Sequence, residues 1–248
     1  MNLISTLPPG EYIQRFLPGA DTAAMVTALT IVYAFVAFTL TAHLKTRRGV
    51  RTAYTRKTFH FLTFTTASLI QIRWGVPGVM VFGMVMSGFV FYTVARGDGH
   101  PWFEALGRPT DAPHRAMFII VPLITTAFGG LISNVLFSRF AYIGYLVCGW
   151  GDAVGEPVGT RWGKHTYRVP SLGGVKAVRS LEGSAAVFVV GAVAAVAGLI
   201  AGGVEPRAAM FVGVSCGLAG ALVEAVSNHG LDNLTTQIAA SFVAWWLL

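Results

Sequence analysis

The sequence predicts an all-α, polytopic transmembrane helix bundle of about eight spans, and three observations predict it. Apolar residues make up 54% of the 248 residues and charged residues only 12%. A soluble domain carries about 25% charge, so this chain could not keep its surface in water. Apolar runs long enough for a bilayer-crossing helix then recur along the whole chain, and basic residues gather in alternate connections between them. The high hydrophobicity also excludes disorder. The net charge of +7 would suit nucleic acid or anionic lipid, but in so apolar a chain it reads first as an orientation signal.

A helix needs about 20 apolar residues to span a bilayer. In order, the runs are 23–44, 58–72, 76–95, 116–133, 140–150 with its flanks, 184–203, 208–226 and 234–248. Residues 1–20 contain an acid, an Arg and several prolines without a continuous apolar core, so no removable signal peptide is expected. The sixth run carries Ala194, Gly198 and Gly202 at four-residue spacing, a small-residue face suited to close helix packing. Cys148 and Cys216 lie in apolar runs with no metal-type spacing and read as buried thiols. The whole chain, 1–248, reads as one integral membrane domain.

The basic residues set the sidedness. Lys45, Arg47, Arg48, Arg51, Arg56 and Lys57 precede the second run. Arg96, Arg108 and Arg115 separate the third from the fourth, and Arg161, Lys164, Arg168, Lys176 and Arg179 separate the fifth from the sixth. With eight spans and the N-terminus outside, these fourteen of the eighteen basic residues face the cytoplasm. Trp74, Trp245 and Trp246 then fall at the outer interface. A bacterial-type inner membrane is the expected location.

Chemistry is expected on that cytoplasmic face. The segment 149–183 reads as a long glycine-rich loop with Asp152 and Glu156 near its start, Glu182 near its end and five cations between them. Asp152 and Glu156 are four residues apart, so a helical continuation would place both on one face. Cations, an acid and glycine amides together suit a metal–polyphosphate complex. The stretch Gly159–Gly163–Lys164 is not a P-loop, because three residues rather than four separate the glycines and His165 follows the lysine. Arg56 and Lys57 start the second run with His60 about a turn inside it. Glu224 is a carboxylate within an apolar helix and needs a cation or metal partner. Asp232 and Asn233 begin the last run, where Asp232 also suits a helix cap.

At these residues the sequence resembles the CTP-dependent lipid-alcohol kinases, which include dolichol, phytol and CTP-dependent diacylglycerol kinases. The resemblance rests on Gly151–Asp152, Gly159 with Gly163, Arg179–Ser180–Leu181–Glu182–Gly183–Ser184, Arg56–Lys57–x–x–His60 and Asp232–Asn233–Leu234–Thr235. It implies transfer of the γ-phosphate of CTP, or another nucleoside triphosphate, to a lipid hydroxyl with Mg²⁺ as cofactor. Asp152, His60 and Glu224 are then the candidate catalytic residues, and Asp152, Glu224 and Asp232 the candidate metal ligands. Arg56, Lys57, Arg161, Lys164, Lys176, Arg179, Ser180, Gly183 and Asn233 are candidates for holding nucleotide and phosphate. Substrates are expected to be a polyprenol, phytol or diacylglycerol, and no nucleic acid is expected as a partner. A phosphatidate cytidylyltransferase is the rival enzyme, although its acidic signature is missing. A transporter is less favoured, because the acids cluster at one interface and the sixth run carries none.

Overall fold

The structure is a computed structural model that describes residue 14 and residues 16–170, 177–228 and 230–248. Its helices are α1 (Ala20–Thr46), α2 (Thr52–Arg96), α3 (Pro101–Leu106), α4 (Met117–Phe137), α5 (Ala141–Trp162), α6 (Leu181–Ala201), α7 (Pro206–Val226) and α8 (Asp232–Leu247). A short antiparallel pair, β1 (Thr166–Val169) and β2 (Ala177–Ser180), links α5 to α6 with Thr166 opposite Ser180. Each of the eight apolar runs falls mainly on a helix, with overhangs of one or two residues at run ends such as 116 and 202–203. Among the described residues, five helical stretches are long and apolar enough to cross a membrane: Ala20–Thr46, Thr52–Arg96, Met117–Trp162, Leu181–Ala201 and Pro206–Val226.

Two of those stretches are interrupted. Within α2, Gly75 has φ 65° and ψ −161°, and Pro77 follows it. That backbone region is essentially open to glycine alone, so Trp–Gly–Val–Pro divides α2 into 52–74 and 76–96. Gly75→Ala is therefore expected to cost about 1–3 kcal/mol, measurable as a lowered unfolding midpoint of detergent-solubilised protein. The second break follows α4, where Ser138 has φ 23° and a short 3-10 turn, Ser138–Phe140, leads into α5. Gln71 donates to the Ser138 carbonyl at 3.0 Å and to Asn134 Oδ1 at 2.8 Å, and Asn134 donates to the Tyr145 hydroxyl at 2.6 Å. This buried amide network ties α2, α4 and α5 together at the break. Its residues looked like ordinary members of apolar runs in the sequence.

Small residues set how closely the helices approach. Gly198 and Gly202 face α5, where an added Cβ would lie 2.3 Å from Leu146 Cδ1 and 2.2 Å from the Tyr142 hydroxyl. The packing expected of the Ala194–Gly198–Gly202 face is what the bundle contains. On α7, Gly213 and Gly217 meet the backbone of Val196 and Ala192 on α6. Cys148 and Cys216 are both free and buried.

The segment 149–183, expected as a loop, is mostly ordered into regular structure. Helix α5 continues to Trp162 and the β-pair follows. The reason is again packing. Gly151, Gly155 and Gly159 recur every four residues on the α5 face toward the start of α6, and a Cβ on Gly155 would sit 2.5 Å from Val187 Cγ2. Those glycines make room for a neighbouring helix and do not form an amide nest.

Candidate active site

The helices alternate in direction, so the start of α2, the end of α5, the start of α6, the end of α7 and the start of α8 meet at one end of the bundle. A cavity of about 600 Å³ lies there, with Lys57, Arg108, Asp152, Glu156, Arg179, Ser180, Gly183, Glu224 and Asp232 on its wall. Five separate chain segments, around Lys57, Arg108, Asp152 with Glu156, Arg179, and Glu224 with Asp232, thus supply charge to one space.

Two ion-pair systems organise it. On one side the Lys57 ammonium, almost fully buried, lies 2.6 Å from Asp152 Oδ1 and 3.2 Å from Glu156 Oε2. Arg108 then bridges Glu156 Oε1 and Asp111 Oδ2, each at 3.0 Å. Burial alone would lower the Arg108 guanidinium, but the Glu156 and Asp111 carboxylates beside it outweigh this and hold it above the ordinary arginine value. On the other side one guanidinium spans two acids, with Arg179 Nε 3.1 Å from Glu224 Oε1 and Nη2 3.0 Å from Asp232 Oδ2. Arg179 Nη1 is buried and, among the described residues, has no hydrogen-bond partner. A buried donor without an acceptor is costly, so this N–H is suited to an anionic oxygen inside the cavity.

Asp152, Glu224 and Asp232 each offer a carboxylate oxygen within 4.8 Å of the others. Oxygen-only donors of this charge suit a hard divalent cation such as Mg²⁺, and Lys57 and Arg179 leave several carboxylate lone pairs uncommitted. The donor set therefore fits the ion implied by the resemblance. His60 Nε2 lies 3.4 Å from Asp152 Oδ2, and its ring packs on Phe64 with centroids 4.4 Å apart. Asn233 does not point a donor into the cavity, because its amide donates to Thr126 Oγ1 at 2.9 Å. It braces α8 against α4.

Other expected phosphate contacts sit elsewhere. Arg161 is exposed, lies over the Trp162 ring and is absent from the cavity wall. Lys164 is likewise exposed and off the wall. Nine residues separate Arg161 from Asp152, about two and a half helical turns, which turns the two side chains to opposite faces of α5. Arg56 is half-buried and off the wall. Lys176 lies outside the described residues. The Gly183 amide donates to Ser180 Oγ at 3.1 Å, so Ser180 caps α6 and this amide is not a free donor. Gly183 instead packs on Gly155 and Gly159, its notional Cβ only 2.9 Å from the Gly155 carbonyl.

The sequence places Arg108 only among the basic residues of a connection and does not single out Asp111. The available signal is three acids, Asp98, Glu104 and Asp111, in a segment whose basic residues alone would fit a topology anchor. A neighbouring ion cluster holds that connection in place: Arg115 donates to Glu104 Oε2 at 2.7 Å and to the Gly107 carbonyl at 2.6 Å. Arg115's hydrogen bonds hold the Glu104 carboxyl below its usual range.

Fold and site together define an all-helical membrane protein with a charged cavity, rich in acids and cations, at one end of its bundle. The chain is 29% identical over 214 residues to phytol kinase from Synechocystis sp., covering 84% of this chain and 86% of that protein. This relative supports the lipid-alcohol kinase family to which the motifs point. No protein-family profile matches the chain, and no solved structure matches it.

Proposed function

We propose that this protein is a membrane-embedded kinase that transfers the γ-phosphate of CTP, or another nucleoside triphosphate, to the hydroxyl of a lipid alcohol. The observation that carries this reading is the meeting of Asp152, Glu224 and Asp232 within 4.8 Å in a cavity also walled by Lys57, Arg108 and Arg179. Similarity to phytol kinase supports the acceptor class.

Phosphoryl transfer depends mostly on positioning and charge neutralisation, and the residues divide accordingly. Asp152, Glu224 and Asp232 would hold Mg²⁺, which when bound supplies charge neutralisation between phosphate oxygens. The Arg179 Nη1–H, without a hydrogen-bond partner among the described residues, would donate to a phosphate oxygen, with the Ser180 hydroxyl and the N-terminus of the 21-residue α6 on the same wall. A helix N-terminus favours such anions. Lys57 holds Asp152 in fixed orientation through their 2.6 Å ion pair. His60 lies just behind the charged cavity's wall, 3.4 Å from Asp152 and packed on Phe64, and it is the residue we assign to take the hydroxyl proton.

The same reading places eight crossings in the membrane, with the N-terminus outside and the cavity facing the cytoplasm. The breaks at Gly75 and at Ser138–Phe140 support that count. So does the position of Trp74, Trp245 and Trp246 toward helix ends remote from the cavity.

Purified protein incubated with labelled CTP or ATP, Mg²⁺ and a panel of phytol, polyprenols and diacylglycerol tests the proposal. Phosphorylated lipid should form from at least one alcohol, stop on EDTA addition and resume with excess Mg²⁺. Absence of product from every combination would overturn it, and product formation unaffected by EDTA would remove the metal from the account.

A further inference from the structure

We infer that the lipid chain of the acceptor lies in a groove between the second half of α2 and α4, with its hydroxyl end toward His60; this rests on the kinase reading. A cavity of about 580 Å³ lies there, within the about 300–1,000 Å³ usual for ligand pockets. Val79, Met84, Met86, Phe91, Leu123 and Phe128 supply an almost wholly apolar lining. Met84 is 63% exposed, and Phe91 and Phe128 are each 54% exposed, so the groove opens sideways from the bundle, where lipid would lie.

Two contacts join this groove to the carboxylates. Phe64 lines it and packs on His60, which in turn lies 3.4 Å from Asp152. Thr126 also lines it and accepts from Asn233, the neighbour of Asp232. A second apolar depression, formed by β1, α6 and α7, touches the candidate site only through Ser184 and includes the charged Arg168. The α2–α4 groove shares no wall residue with the charged cavity. It meets the carboxylate-bearing helices α5 and α8 through the Phe64–His60–Asp152 and Thr126–Asn233 contacts and runs along the apolar length of the bundle. One groove suits one chain, so the expected occupant is a single isoprenoid or alkyl chain ending in a hydroxyl, in preference to a two-chain diacylglycerol.

Two glycines make the idea testable. An added Cβ at Gly83 or Gly88, both on the lining, would meet no atom within 4 Å. A side chain there starts in open space on the groove wall, and leucine favours helix over glycine. The full-length protein in nanodiscs should be irradiated with a diazirine-bearing C20 isoprenoid alcohol and the labelled peptides mapped. Labels are expected on 79–91 and 123–131, competed by phytol but not by diacylglycerol or bilayer phospholipid. Labelling there should drop about tenfold, equivalent to about 1.4 kcal/mol, in Gly83→Leu and again in Gly88→Leu, with unfolding midpoints no lower than that of the unsubstituted protein. Labels on 181–188 or 218–226, equal competition by phospholipid, or unchanged labelling in both leucine variants would overturn the assignment. Transfer to a short, water-soluble prenol, measured on the unsubstituted protein, tests the kinase reading separately. Groove labelling without any transfer would sink the kinase and leave the groove as an isoprenoid site.

Discussion

Asp152→Asn is expected to lower turnover by about 100-fold or more, the scale of losing a group that stabilises transition-state charge, while the protein remains folded. Asp152 is the one carboxylate that belongs to both halves of the cavity. It faces Lys57 at 2.6 Å and His60 at 3.4 Å, and it shares an oxygen cluster with Glu224 and Asp232. Asparagine keeps the shape but supplies a neutral oxygen, which weakens both the cation site and the orientation of His60. Folding should survive because Lys57 retains Glu156 at 3.2 Å, so no buried ammonium is stranded. Turnover and unfolding midpoint measured on the same preparation check this; an active variant would remove Asp152 from the mechanism.

Arg179→Ala is expected to damage stability as well as activity. One guanidinium holds Glu224 and Asp232, and removing it leaves the buried Glu224 and the half-buried Asp232 beside Asp152 with no counter-charge from β2. Stranding a buried charge typically costs about 3–5 kcal/mol. Arg179→Lys should retain the charge yet lose much of the activity, because a single ammonium cannot reproduce the planar fork that spans both carboxylates. Chemical unfolding of the two variants distinguishes these effects. Equal stability of Arg179→Ala and the unsubstituted protein would show that the acids do not depend on this residue.

Much of this arrangement is legible in the residues alone, for identifiable reasons. Helix positions follow from apolar run length, and the helix end bearing chemistry follows from where Lys and Arg gather. Glu224 announces itself because a carboxylate in an apolar helix needs a partner, and Arg179 is that partner. The helix running to Trp162 is hidden because Gly151, Gly155 and Gly159 look like loop residues until α6 is seen packed against them. Glycine within a helix costs about 0.5–1 kcal/mol, offset here by contacts that no local pattern reveals. Arg161 and Lys164 mislead for a related reason: charge near an acid in sequence does not fix direction, and the helical register turns Arg161 away. Arg108 reaches Glu156 across 48 residues, and composition carries no trace of that contact.

The central claim is that the acid cluster directs the γ-phosphate of a bound nucleotide onto a lipid hydroxyl, and parallel reactions with γ-labelled and α-labelled CTP test it most directly. With phytol or a polyprenol and Mg²⁺, the account predicts γ-label in the lipid phase, α-label remaining in water as CDP, and γ-transfer slowed about 100-fold or more by Asp152→Asn. Recovery of α-label in the lipid with release of pyrophosphate would contradict it and identify a cytidylyltransferase instead.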